Sequence, residues 1–320
     1  MKTAIITGIS GQDGPYLARL LVEKNYRVIG TVRSYRSSNV KSLEYLKIAE
    51  KVVLEELDLL DITNVIRLLM KYKPDEVYNL AAQSSVGLSF SQPIGTFSFN
   101  TASVNNLLET IRLLSPMTKL YQASSSEMFG CVKKLPITLD APMHPVSPYA
   151  VSKVAAHFMV MNYREAYGLF VCNGILFNHE SFLRSGNFFV KKIILEALKI
   201  KRGEKDCVFV GNLDLKRDFG YAPRYVEAMW MMMQLEKPED FIVCSGKSIC
   251  LRDIVYYVFD KLKLDNKLIV VDDKLCRPNE VYDIVGDNSK ARLHLDWYYD
   301  DSFFDILDIL IHEELQAQGA

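Results

Sequence analysis

Little in this sequence points to metal, membrane or nucleic acid. Its six cysteines (Cys131, Cys172, Cys207, Cys244, Cys250 and Cys276) form no CxxC pair, so they read as reduced thiols, several of them in apolar runs. The five histidines are scattered, with no HExxH and no paired ligand spacing, which gives no metal site. No apolar run approaches the ~18 residues a membrane-spanning helix requires. The opening Met1–Gly8 stretch has one positive charge and too few apolar residues for a signal peptide. Charge of one sign is missing too: 38 Lys and Arg face 39 Asp and Glu, a net charge of −1, so nothing global draws the chain to nucleic acid or to an anionic bilayer. What is present is length and apolar content. The 320 residues are 49% hydrophobic and 11% aromatic, with a mean hydropathy of +0.03, enough to build a core without disulfide or metal. A metal-free cytoplasmic globule is the expectation.

The first half alternates short β-branched runs with amphipathic stretches. Strands are expected at Ala4–Thr7, Arg27–Val32, Lys51–Leu57, Glu76–Ala81 and Leu120–Ser124. Helices are expected at Asp13–Lys24, Thr63–Lys73 (inner face Ile66, Leu69, Met70) and Ala102–Leu114. This rhythm means parallel strands with helical crossovers, a doubly wound α/β sheet of Rossmann type. After about residue 178 proline and glycine become denser, and a strand at Cys207–Val210 and helices at Arg224–Gln234 and Leu251–Lys263 follow. We expect a smaller α/β C-terminal substrate lobe. The cofactor domain then takes residues 1–178 with a returning stretch at about 212–245, and the lobe takes 179–211 and 246–320.

Directly after the first strand, Gly8, Gly11 and Gly14 recur every third residue and open a helix. Small residues there let backbone amides and the helix N-terminus approach a pyrophosphate. A tight strand–helix turn needs glycine anyway, but the strand and helix on either side are the context that dinucleotide binding requires. NAD sites place an acid at the end of the second strand to hold the ribose diol. Arg33 and Arg36 stand there instead, and guanidinium groups suit a 2′-phosphate, hence NADP. Asp58, closing the third strand, is placed to hold the adenine amine.

Ser147-Pro148-Tyr149-Ala150-Val151-Ser152-Lys153 reads as a capped helix start with proline at its first position. Tyr149 and Lys153 then share one face, four residues apart. An ammonium beside the phenol is expected to lower its pKa from ~10 towards neutrality, making an acid–base for alcohol–ketone chemistry.

Seven segments together carry a resemblance: Thr7–Leu17, Tyr78–Ser84, Tyr121–Gly130, Ser147–Lys153, Gly174–Ser181, Lys216–Gly220 and Arg277–Val281. In this order, over nearly the whole chain, they resemble the extended short-chain dehydrogenase/reductase family, and within it the GDP-mannose 4,6-dehydratase branch. The resemblance implies a Ser125–Tyr149–Lys153 centre with Glu127 as the additional acid–base. A 4-epimerase or 4-ketoreductase stops at C4 and would leave Glu127 idle, whereas a dehydratase must also take the C5 proton and expel the C6 hydroxyl. The related dTDP-glucose dehydratases have Asp-Glu at this place. Here it is Ser126-Glu127, so Glu127 acts alone, first as base and then as acid.

For NADP the resemblance implies contacts from Gly8, Gly11, Gln12, Asp13, Gly14, Leu59, Leu80, Ala81, Ala82, Tyr149, Lys153, Leu176, Asn178 and His179. For a GDP-sugar it implies Ser84, Ser126, Asn178, Glu180, Val190 and Lys192, with Arg217 and Arg277 on the diphosphate and Glu280 near the ribose. It also implies a homo-oligomer, dimer or tetramer. Three departures stand out: Phe182-Leu183-Arg184 where the family continues Pro-Arg-Arg, Ser85 where it has His, and Ser125 where it has Thr. The last keeps the hydroxyl. The others leave GDP-N-acetylglucosamine or a GDP-heptose open beside GDP-mannose. A non-catalytic NADP-binding sensor on the same fold is the alternative from another class.

Overall fold

The computed structural model describes residues 1–35, 41–276 and 279–318. The chain begins β1 (Thr3–Thr7), α1 (Asp13–Glu23), β2 (Arg27–Val32), α2 (Lys41–Tyr45), β3 (Val52–Glu56), α3 (Ile62–Tyr72), β4 (Glu76–Asn79), α4 (Val86–Ser91), α5 (Pro93–Leu114), β5 (Lys119–Ser125), α6 (Pro148–Tyr167) and β6 (Val171–Leu176). It continues with β7 (Asn178–Glu180), α7 (Phe189–Lys201), β8 (Val208–Val210), β9 (Lys216–Tyr221), α8 (Ala222–Gln234), β10 (Phe241–Val243), β11 (Ser248–Cys250), α9 (Leu251–Leu262), β12 (Ile269–Val271), β13 (Asp283–Ile284), α10 (Ser289–Leu295) and α11 (Phe303–Ala317).

Strands whose two faces are both covered read as continuous apolar runs, and β1, β4 and β6 are buried along almost their whole length. They lie in a seven-stranded parallel sheet of order β10-β6-β5-β4-β1-β2-β3. Helices α1 and α8 pack on one face, and α3, α5 and α6 on the other. The winding reverses between β1 and β4, which opens a crevice beyond their C-terminal ends. A buried polar row crosses that point: Thr7 Oγ1 donates to Asn79 Oδ1 (2.6 Å) and Asn79 Nδ2 to Gln122 Oε1 (2.7 Å). The amide of Ala81 donates to Thr7 Oγ1 at 3.2 Å, tying the β4 exit to β1.

Only Phe177 separates β6 from β7, so the chain steps directly from the large sheet into a second one. There β7 and β13 run parallel to β9, and β11 runs antiparallel to it. Within the stretch 212–245, α8 and β10 rejoin the large sheet while β9 belongs to the second.

Two local readings are corrected. Helix α5 starts at Pro93, not Ala102; Pro93, Gly95 and Ser98 look like a loop, but proline in the first turn forgoes a donor that has no partner anyway. On α3 the buried face is Val65, Leu68 and Leu69, while Met70 is 62% exposed. No helix among the described residues is long and apolar enough to cross a membrane.

Candidate active site

The glycine turn is fixed by sterics. Gly8 has φ +74°, and a Cβ there would stand 2.9 Å from the Ala81 amide nitrogen; one on Gly14 would stand 2.7 Å from the Gly8 carbonyl oxygen. No side chain caps α1, which leaves its first amides facing the turn. Gln12 instead donates from Nε2 to the His179 carbonyl (3.0 Å) and accepts from Ser181 Oγ (3.1 Å). The Asp13 carboxylate faces His179 Nε2 at 2.9 and 3.0 Å. Burial opposes its charge, yet His179 and Arg184 outweigh that and hold the carboxyl below its ordinary range. Helix amides beside a tight glycine turn, with the nearby acid engaged by His179, fit a pyrophosphate.

This turn is one wall of a cleft of about 940 Å³ that also takes in Arg33, Leu59, Leu80, Ala81, Ala82, Ser84, Ser125, Ser126, Glu127, Tyr149, Lys153, Leu176, Asn178 and His179. Among the described lining residues the carboxylates are Asp13 and Glu127 alone. The Arg33 guanidinium lies 5.0 Å from the Phe99 ring centre, so at the end of β2 the cleft presents a cation and no acid. Asp58 is not among the lining residues; its carboxylate turns to the Leu60 amide (3.0 Å). Arg36 lies outside the described residues, and so does Arg277.

The chemistry-bearing groups come from β5, the turn after it, and the first turns of α6. Ser147 caps α6, accepting from the Ala150 amide at 3.1 Å. Lys153 Nζ donates to the Ala123 carbonyl (2.9 Å) and lies 5.8 Å from the Tyr149 ring centre. The expected acidification of Tyr149 is not what this arrangement gives. Burial pushes its phenol up to about 12, with a hydrogen bond to Ser125 opposing and the Glu127 charge adding. Burial also brings Lys153 down to about 8. The ammonium is spent on the Ala123 carbonyl of β5, so desolvation decides both values.

A second cavity of about 230 Å³ adjoins, lined by Asn178, Glu180, Arg217, Glu280 and others, and it shares Glu127, Asn178 and Arg184 with the large cleft. Asn212 Nδ2 donates to Glu280 (3.0 Å), and Arg217 Nη1 donates to the carbonyls of Lys216 (2.7 Å) and Val281 (2.8 Å). Two residues expected at the sugar nucleotide lie outside both cavities. Val190 is fully buried in the hydrophobic core, because an apolar residue on the inner face of α7 packs inward. Lys192, two residues on, bonds the Phe209 carbonyl (3.1 Å) and lines neither cavity.

Sequence reading missed Arg184. Its Nε and Glu180 Oε2 face each other at 3.6 Å, both buried and both without a hydrogen-bond partner. Burial raises the Glu180 carboxyl, against the pull of Arg184. The available signal was a lone arginine three residues after Ser181. Among the described residues no group of three or more acidic, histidine or cysteine side chains is placed to hold a metal.

The family model described as GDP-mannose 4,6 dehydratase matches residues 5–310. GDP-mannose 4,6 dehydratase 1 of Arabidopsis thaliana is 42% identical, over 98% of this chain and 90% of that protein. The GDP-mannose 4,6-dehydratase of Yersinia enterocolitica is 39% identical (93% and 89%) and that of Homo sapiens 39% (98% and 92%). Among solved structures, a dTDP-glucose 4,6-dehydratase from Streptomyces venezuelae with NAD bound superposes with TM-score 0.89 at 19% identity (99% and 98% covered). A UDP-glucose 4-epimerase from Thermotoga maritima gives 0.88 at 22% (99% of each); at such identities the likeness is one of fold.

Proposed function

The chain belongs to the GDP-mannose 4,6-dehydratase family, and we propose that it is an NADP-dependent hydro-lyase converting GDP-mannose to its GDP-4-keto-6-deoxy product. What carries this reading is a convergence: Ser125, Glu127, Tyr149 and Lys153 meet in one cleft, with Glu127 at its junction with the second cavity. An epimerase or ketoreductase has no task for that carboxylate.

When bound, the nicotinamide supplies hydride chemistry, accepting at sugar C4 and returning to C6. Tyr149 Oη takes the C4 hydroxyl proton, with Ser125 as its hydrogen-bond partner. With the phenol raised to about 12, its work as a base depends on the Lys153 charge being brought to bear on it. The C4 ketone acidifies C5–H; Glu127 takes that proton and delivers it to the departing C6 hydroxyl, which leaves as water. As hydride reaches C6, C5 takes back a proton from solvent, and Tyr149 gives its own proton up to solvent. Arg33 without a neighbouring acid favours NADP over NAD. Arg184, Arg217 and Glu280 line the space for the nucleotide end of the sugar donor. The apolar side chains Ile94, Phe97, Val151 and Phe158, exposed on α5 and α6, support a homo-oligomer.

The test is incubation of the purified protein with GDP-mannose and no added NADPH, reading the absorbance of alkali-treated 4-keto product. Signal is expected. If neither GDP-mannose nor GDP-N-acetylglucosamine gives a 4-keto-6-deoxy product, the proposal fails; bound nucleotide without turnover on either would favour the sensor.

A further inference from the structure

Tyr149, Lys153 and His157 follow one another at four-residue spacing, a single stripe along α6. Each reaches a different one of three consecutive residues of β5: Tyr149 the Ser125 hydroxyl, Lys153 the Ala123 carbonyl at 2.9 Å, and His157 the Ser124 hydroxyl, with Nδ1 3.1 Å from Oγ. The first two are the acid–base pair of the proposed reaction. The third has no part in it.

His157 and Ser124 are each 4% exposed. Ser124 Oγ donates to Asn173 Oδ1 on β6 at 3.4 Å. We assign its one proton to that bond, so that Ser124 accepts from His157 Nδ1–H. Burial keeps the ring below its ordinary pKa. The chain of contacts then returns to its starting helix. The Asn173 amide donates to Asp240 (2.7 Å), and Asp240 takes both ends of the Arg164 guanidinium (2.7 and 2.9 Å), two turns beyond His157 on α6. A closed polar loop thus joins α6, β5, β6 and the segment before β10 behind the catalytic strand.

We propose that His157 is a positioning residue that, through Ser124, sets the register of α6 on β5 and with it the places of Tyr149 and Lys153. This rests on the reading of those two residues as the acid–base pair. A displacement of an ångström at such a pair is enough to cost rate without costing affinity.

The experiment compares His157→Leu, His157→Asn, Ser124→Ala and the Leu/Ala double variant with the parent protein. His157→Leu is expected to lower kcat by about tenfold or more, with KM for the GDP-sugar and for NADP held within about twofold. His157→Asn, which keeps an N–H donor, should recover most of the loss. Because both groups act through one hydrogen bond, the double variant should be no worse than the poorer single one. A second readout needs no substrate: competitive acetylation of Lys153 across pH, followed by mass spectrometry. Its midpoint near 8 should move towards 10.5 as the loosened helix lets water reach the ammonium. Unchanged kcat and labelling in folded His157→Leu overturn the proposal, as do additive losses or a loss confined to KM. If His157→Leu does not fold, Ser124→Ala carries the same expectation and the same refutation. A parent protein that turns over no GDP-sugar counts against the proposed function alone, since Lys153 labelling still reads the register.

Discussion

The two ends of the cleft are held by different means. At the dinucleotide end the backbone does it: Gly8 at φ +74° against Ala81, the uncapped start of α1, and a polar row from Thr7 to Gln122. At the end proposed for the sugar nucleotide polar and charged side chains do it, each held by a neighbour: Arg184 faces Glu180, Asn212 bonds Glu280, and Arg217 bonds two backbone carbonyls. The first end has little freedom to move. On the proposed function the second exchanges internal partners for ligand contacts, and so can change specificity without changing the fold. Where the ends meet, the largest effects are expected. Glu127→Gln and Tyr149→Phe should each lower kcat by about 10²–10⁴ with the fold intact. Glu127→Gln should also stop C5 solvent-deuterium exchange while sparing C4 oxidation. Full activity in either variant removes its assigned role.

Lys153 lies on the rigid side, and its burial has a pH signature. Folding lowers its pKa from 10.5 to about 8. Below 8 both states carry the proton and the burial penalty is complete. Between 8 and 10.5 the unfolded chain binds more protons, so stability rises with pH, by at most about 3 kcal/mol over that window. Lys153→Met has no such proton. The stability difference between parent and variant, from urea unfolding, should therefore slope between pH 8 and 10.5 and be level below 8. A level difference throughout places the ammonium in water.

The contrast between the ends can be sharpened by a matched pair. Gly8→Ala puts a side chain into a left-handed backbone and against Ala81; it should destabilise the protein by about 1–3 kcal/mol and weaken cofactor retention. Arg184→Ala leaves the buried Glu180 carboxyl without its opposing charge; burial already raises that carboxyl, so stability should fall by about 1–3 kcal/mol. The variant's KM should rise roughly tenfold, the worth of one charge-assisted hydrogen bond. Equal effects of both on KM for the GDP-sugar would erase the distinction.

The same distinction explains what was legible. Glycine spacing, the Ser147 cap and the Tyr149–Lys153 interval are local rules, and the structure places the glycines, Tyr149 and Lys153 in the cleft wall and Ser147 at the second cavity, because the backbone around them has few alternatives. The pKa of Tyr149 was not legible, because it depends on Lys153 choosing the Ala123 carbonyl and on the depth of burial, both set by β5. Arg184 was invisible for a related reason. Its place between two cavities follows from the one-residue step from β6 to β7, which no periodicity records. Helix α5 hid its first turns behind Pro93 and Gly95, residues that read as loop unless the helix start is already known.

The smallest expected effects test where the sugar end stops. Val190 and Lys192 sit two residues apart on α7, yet one is sealed in the core and the other reaches the Phe209 carbonyl at the surface. Val190→Ala removes two buried methyl groups, so it should lower unfolding free energy by about 2 kcal/mol and leave KM unchanged. Lys192→Ala removes one partly exposed hydrogen bond to a carbonyl, so stability should fall by no more than about 1 kcal/mol. If its KM for the GDP-sugar stays within about twofold of the parent's, the boundary of the site runs between Arg184 and α7. A tenfold rise would mean that the ligand draws Lys192 off Phe209 and that the mobile end extends one helix further.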